Sequence, residues 1–371
     1  MLRLTISVVA ICALMVIGVA RATASHGNAV SAAQPTAKVA FENPETFTGR
    51  WVKDHADFNQ AIHALDPNIT VIYHNSNANI TTQAQNVNAD IAAGVKVIVL
   101  AAVDQNQDAP LVNKAERAGI RVLAYDRMIQ SPKLEAYDSF NNVQVGVEQG
   151  KWLAHHLKMG TASKPTYVIE IRGSSTDHNA ALFYQGYQSK MQPVYNTGKV
   201  KLGFFKWTPN WDDPTAGQET DNALSLLSGK TIAGVYSMND AMAATVYASL
   251  ARHHQTGLAL TGQDAQPDGL GRILLHEQGM TVFKNVKLEA TSAAQVAYNW
   301  VVGKKLPGNY TVNCGAGCAQ SSGRHVPSAL FHPQQITIKN VAAPVNAGYE
   351  TWKDVCTSIA KPNKPYCGLP H

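Results

Sequence analysis

The chain is 371 residues long, 45% hydrophobic and 15% charged, with a formal net charge of +5. That length allows two domains with ordinary globular cores. The basic residues are scattered and form no Lys/Arg-rich run, so nucleic acid is not expected among the partners.

The first element in chain order is an export signal. Arg3 precedes an apolar run over 6–19 and the small-x-small site Ala22-Thr23-Ala24, which predicts a cleaved signal peptide over 1–24. The run is shorter than the roughly 20 residues of a membrane span; an uncleaved anchor is the alternative. Residues 25–37, rich in Ala and small polar side chains, read as a flexible tail. If Cys12 leaves with the signal, Cys314, Cys318, Cys356 and Cys367 remain. An even number in an exported chain reads as two disulfides. Neighbourhood favours Cys314–Cys318 and Cys356–Cys367, although three pairings are open. The paired C-x2-C spacing of a zinc site is absent, and neither metal nor cofactor is expected.

From residue 38 onward, short β-rich runs alternate with longer amphipathic stretches. Strands are expected over 38–41, 69–73, 95–101, 121–125, 166–171, 200–205, 232–236 and 258–261. Helices are expected over 51–65, 82–93, 109–118, 143–157, 180–191, 216–227 and 241–251. Continuous apolar runs such as Val97-Ile98-Val99-Leu100 suit parallel strands buried on both faces. Gly94, Gly119 and Gly257 sit where helix C-caps belong. The pattern is α/β, with doubly wound, Rossmann-like lobes.

The alternation breaks twice. After Tyr125-Asp126-Arg127 a second extended stretch at 136–140 precedes the next helix, and a helix over 289–302 follows a strand at 280–283 with little turn between them. These breaks read as crossings between two lobes, with a third near Val326. The expected division is 38–141 plus 284–325 in an N-terminal lobe, and 142–283 plus 326–371 in a C-terminal lobe that carries a C-terminal extension.

Open parallel sheets bind ligands beyond the carboxyl ends of their strands. The residues that follow the strands here are Asp126 and Arg127; Asp177, His178 and Asn179; Trp207 and Trp211; Asn239 and Asp240; Gln263 and Asp264; and Lys284. Arg50 and Trp51 open the first helix. These types suit a sugar. Each hydroxyl both donates and accepts hydrogen bonds, bonds to a charged partner are the stronger ones, and an indole can cover the apolar C–H face of the ring. Any single cluster, such as Asn239-Asp240, reads equally well as a helix cap. Several clusters at equivalent topological positions speak for a shared site.

At these positions the sequence resembles the periplasmic D-xylose-binding proteins of bacterial ABC transporters, members of the type I periplasmic sugar-binding family. The resemblance is carried by Val122-Leu123-Ala124-Tyr125-Asp126-Arg127-Met128-Ile129, Ser237-Met238-Asn239-Asp240-Ala241, Thr261-Gly262-Gln263-Asp264-Ala265 and Met280-Thr281-Val282-Phe283-Lys284. Asp177-His178-Asn179-Ala180 and Val326-Pro327-Ser328 match more loosely. The resemblance spans residues 50–328. It implies two lobes joined by a three-segment hinge, with a monosaccharide (D-xylose or a similar pentose) held between them. Arg50, Asp126 and Arg127 would reach the sugar from the N-terminal lobe. Asn179, Trp207, Asn239 and Asp264 would reach it from the C-terminal lobe, and Lys284 from near a crossing. Trp51, Asp177, His178, Trp211 and Gln263 form a second rank of candidates. The resemblance also implies a periplasmic monomer that delivers its ligand to an inner-membrane ABC permease, with a chemoreceptor as a further partner. Residues 41–47 depart from the family's first loop, and the match fades beyond Ser328.

Two other functions compete. Asp126 and Asp264 could be the paired carboxylates of a secreted glycoside-processing enzyme. No G-x-S-x-G, H-E-x-x-H or P-loop accompanies them, so no enzyme is expected. A sugar-responsive transcription regulator would need a helix-turn-helix before the first strand, where this chain has its signal and tail.

Overall fold

The computed structural model describes residues 36–46, 49–312, 319–359 and 364–367. The expected signal peptide, most of the tail, and Cys314 and Cys318 lie outside the described residues.

In chain order the first half contains β1 (Lys38–Asn43), α1 (Arg50–Leu65), β2 (Thr70–Asn75), α2 (Ile80–Ala92), β3 (Val97–Leu100), α3 (Ala109–Arg117), β4 (Arg121–Tyr125), β5 (Ala136–Phe140), α4 (Asn142–His156), β6 (Thr166–Arg172) and α5 (His178–Asn196). There follow β7 (Val200–Trp207), α6 (Asp213–Leu226), β8 (Ile232–Ser237), α7 (Asp240–Arg252), β9 (Ala259–Leu260), α8 (Pro267–Leu274), β10 (Thr281–Phe283) and α9 (Val286–Val301). The chain closes with β11 (Gln320–Ser321), β12 (Arg324–His325), β13 (Ser328–Phe331), β14 (Gln334–Ile336), α10 (Ala343–Asn346), α11 (Trp352–Thr357) and α12 (Lys364–Cys367).

One parallel sheet, ordered β13-β5-β4-β3-β1-β2, organises the N-terminal lobe. The run Val97–Leu100 is buried throughout, as expected of a central strand covered on both faces. Phe41, Phe58, Leu123 and Ala294 pack together on one side, and Ile98, Leu100, Val112 and Val122 on the other. A second parallel sheet, β7-β6-β8-β9, builds the C-terminal lobe around Val168, Ile169, Val235, Phe183 and Met242.

Strand pairing corrects the expected lobe boundary. β13 aligns Ser328 with Tyr137 and Phe331 with Phe140, adding a parallel edge strand to the first sheet. The third crossing therefore follows Phe331 instead of Val326. β14 then pairs antiparallel with β10, and the remaining chain packs Val341, Tyr349 and Val355 against Leu270, Ile273 and Phe283. Cys356 and Cys367 are bonded, with their sulfurs 2.04 Å apart.

Gly94 and Gly119 follow α2 and α3 with φ of +72° and +74°, the left-handed geometry a helix end requires. The third expected cap moves: His254 (φ +56°) ends α7, and Gly257 lies beyond it.

Candidate ligand-binding site

The carboxyl ends of both sheets face a shared cavity. It is lined by Arg50, Trp51, Asp126 and Arg127 from the N-terminal lobe, with Asp177, Asn179, Phe183, Trp211, Asn239, Gln263 and Asp264 opposite. Lys284 stands at the second crossing.

Asp126 is the centre of the polar network. It follows β4 with φ +55°, a turn conformation that Asp tolerates better than most residues. Three side chains hold its carbonyl: Tyr137 Oη donates at 2.7 Å, Ser139 Oγ at 2.9 Å and Asn179 Nδ2 at 3.0 Å. Asn179 Nδ2 also reaches the Asp126 carboxylate at 3.1 Å, joining the two lobes. Arg50 Nη1 donates to the same carboxylate at 2.7 Å, and Lys284 Nζ lies 3.5 Å away. Burial alone would raise this carboxyl. Arg50, then Lys284 and Arg127, outweigh it and hold the group down at about 2, ionised.

Arg50 is itself pinned by Asp54, one helical turn along α1, at 2.8 Å and by Glu289 of α9 at 3.1 Å. Burial and the charge on Asp126 push Glu289 well above the usual carboxylate range. This limits the negative charge gathered around the one guanidinium. Lys284 Nζ also approaches Asp264 Oδ1 at 3.5 Å. Asp264 sits at φ +98°, and its backbone N–H donates to the Val282 carbonyl at 2.8 Å. Burial raises its carboxyl, and Lys284 and Arg50 offset only part of that rise.

On the other flank, Arg127 Nε is 3.2 Å from Asp177, and Trp211 Nε1 donates to the same carboxylate at 3.1 Å. Arg50 and Arg127 lie 4.6 and 5.2 Å from the Trp51 ring centroid, a cation–π arrangement. The Trp51 indole N–H donates to Glu45 at 2.5 Å.

Two expectations need correction. Trp207 does not line the cavity. It ends the edge strand β7, partly buried against the core of that lobe, with Arg172 and Tyr184 packed on it. On the C-terminal side the cavity indole is Trp211, carried in by a tight turn with Asn210 and Trp211 at φ +54° and +59°. A left-handed Trp is uncommon and signals a side chain held in place by its surroundings. Gly173 makes room for it: a Cβ there would lie 2.1 Å from the ring. His178 also faces elsewhere, into a neighbouring cavity with Met128, Tyr137 and Phe140. Adjacent residues at a helix start point in different directions, so only Asn179 of that pair lines the main cavity.

Arg50, Asp126, Arg127, Asn179, Asn239, Asp264 and Lys284 are brought together, as are Trp51, Asp177, Trp211 and Gln263. Asn239 spends its Oδ1 on capping α7 through Met242 N–H at 2.9 Å, and it lines the cavity as well. Sequence reasoning missed Phe183, Asp54 and Glu289. The first two stand four residues after Asn179 and Arg50 on helices, a spacing that places side chains on one face; nothing local pointed to Glu289.

The lining balances three cations (Arg50, Arg127, Lys284) against three carboxylates (Asp126, Asp177, Asp264). Such a cavity discriminates against a charged guest and suits a neutral one rich in donors and acceptors. Gln263 Oε1 and Asp264 Oδ1 are buried without a hydrogen-bond donor, so acceptors remain to be used. Two indoles and the Phe183 ring supply the apolar walls.

A family model described as a periplasmic binding protein domain matches residues 40–305. The chain is 32% identical to the D-xylose-binding periplasmic protein of Escherichia coli over 79% of its own length and 84% of that protein. It is 30% identical to the multiple sugar-binding periplasmic receptor ChvE of Rhizobium radiobacter, covering 76% of this chain and 81% of the receptor. Among solved structures, an ABC transporter solute-binding protein from Clostridium phytofermentans with bound β-D-glucose superposes with a TM-score of 0.78. It has 24% identity and covers 86% of this chain and 99% of its own. The doubly wound, two-lobed architecture expected from the sequence is the fold of that structure.

Proposed function

We propose that this chain, which belongs to the periplasmic binding protein family, is the sugar receptor of an ABC importer and takes D-xylose or a similar pentose as its ligand. The observation that carries the reading is the charge-balanced cavity, with charged hydrogen-bonding groups from both lobes around the rim and Trp51, Trp211 and Phe183 as walls. The E. coli relative is named for xylose, and the Rhizobium relative for several sugars. Both support a monosaccharide guest.

In this reading the sugar meets one lobe first, and the lobes then close by a hinge at the three crossings. Ligand contacts that form on both lobes only when closed shift the population toward the closed state. The cross-lobe bonds from Asn179 to Asp126, and the backbone bond from Gln105 N–H to the Thr176 carbonyl at 3.1 Å, are of the kind that closure makes. The closed receptor then docks on the permease.

A glycosidase reading draws on the opposite behaviour of Asp126 and Asp264, one held ionised and one raised. Against it, Asp126 is already engaged by Arg50, Lys284 and Asn179. A thermal-shift screen of pentoses, hexoses and polyols tests the proposal. A pentose should raise the melting temperature through binding linkage, with no release of aglycone from a matching chromogenic glycoside. Absence of a shift with every sugar, or turnover of the glycoside, refutes it.

A further inference from the structure

Outside the cavity, Glu42 at the end of β1, His74 on β2 and Asp90 on α2 converge. One ligand atom from each lies within 4.8 Å of the other two. Glu42 and Asp90 are buried at 0% and 1% exposure, while the His74 side chain is 28% exposed and opens the cluster to solvent.

These acids differ from the carboxylates around Arg50, because among the described residues no Lys or Arg pairs with them. Among the described residues their only ion pair is His74 Nε2 to Asp90 Oδ1 at 3.2 Å. Asn86 Nδ2 donates to Glu42 Oε2 at 3.3 Å. The second oxygen of each acid, Glu42 Oε1 and Asp90 Oδ2, is buried and receives no hydrogen bond from any described residue outside the pair. Two buried carboxylates with only one partly exposed imidazole beside them are costly. The environment therefore selects a bound cation or a proton.

We propose that Glu42, His74 and Asp90 form a site for a divalent transition metal of the zinc class, with three protein ligands and a fourth position open toward solvent. One imidazole and two carboxylates are borderline donors suited to Zn²⁺. Calcium prefers six to eight oxygens and is poorly served by an imidazole. The ion would tie β1, β2 and α2 together at one edge of the N-terminal sheet.

Without the ion, burial first, then the hydrogen bond and charge of Asp90, raise Glu42 to about 9, and Asp108 adds to the effect. A proton shared between the acids is therefore the competing occupant, and metal uptake near neutral pH must expel it.

The test is calorimetric titration of Zn²⁺ into the untagged, chelator-treated full chain. Wild type should take up one more equivalent than His74→Gln. Glu42→Gln, which keeps the shape and the Asn86 contact, should lose the same equivalent. Circular dichroism checks that both variants are folded. Equal zinc uptake by wild type and His74→Gln, or uptake by neither, overturns the proposal and leaves the shared proton as the occupant.

Discussion

Replacing Gly173 by alanine tests which indole walls the cavity. The added methyl carbon would lie 2.1–2.4 Å from Cη2, Cζ3 and Cζ2 of Trp211. Ordinary contact begins at 3.4 Å, so the ring has to retreat by about 1.3 Å. That ring is 4% exposed, hangs on a left-handed backbone and is fixed by its N–H to Asp177 at 3.1 Å, so it cannot retreat without breaking that bond. Overpacking of this kind costs about 1–3 kcal/mol. Because the displaced ring occupies ligand space or leaves the wall, much of the cost falls on the bound state. At about 1.4 kcal/mol per tenfold, sugar affinity should fall roughly 10- to 100-fold. Titration calorimetry with the sugar found by the thermal-shift screen measures this loss. Trp207→Phe is the matched control, expected within twofold of wild type because Trp207 packs on Arg172 and Tyr184 outside the cavity. Wild-type affinity in Gly173→Ala, or a tenfold loss in Trp207→Phe, would refute the assignment.

Two further variants address the charged centre. The Asp126 carboxyl is held at about 2 against 3.8 for the unperturbed group. The depressed value contributes about 2 kcal/mol of stability, fully present above pH 3.8 and lost as pH falls through 2. Asp126→Asn should therefore lower the urea midpoint at pH 7 and flatten the acid limb of the stability–pH curve; an unchanged midpoint would show that Arg50 and Lys284 do not favour the ionised group. Asp264→Ala should weaken sugar binding by more than about tenfold, since it strands a buried hydroxyl. Unaltered affinity would remove Asp264 from the site.

Much of the fold was legible because its signals are local. Val97-Ile98-Val99-Leu100 is a buried strand by composition, and Gly94 and Gly119 mark helix ends through the one conformation glycine adopts cheaply. Asp126, Asn239 and Asp264 could be picked out because topology sends strand ends to the cleft whatever the neighbours do. The sequence reading put the stretch containing the short strand β13 with the C-terminal lobe, and its pairing with the first sheet was not legible, since four residues carry little pattern and its partner β5 lies far back in the chain.

The sequence by itself determined the two-lobed α/β architecture and the chemistry at the strand ends, because periodicity and turn residues act within a few positions. Only the tertiary structure decided that Trp211 and not Trp207 enters the cavity, that Glu289 helps to hold Arg50, and that Glu42, His74 and Asp90 meet. Those outcomes depend on side-chain direction after a left-handed turn and on contacts between residues distant in the chain, and no short window of sequence contains both partners.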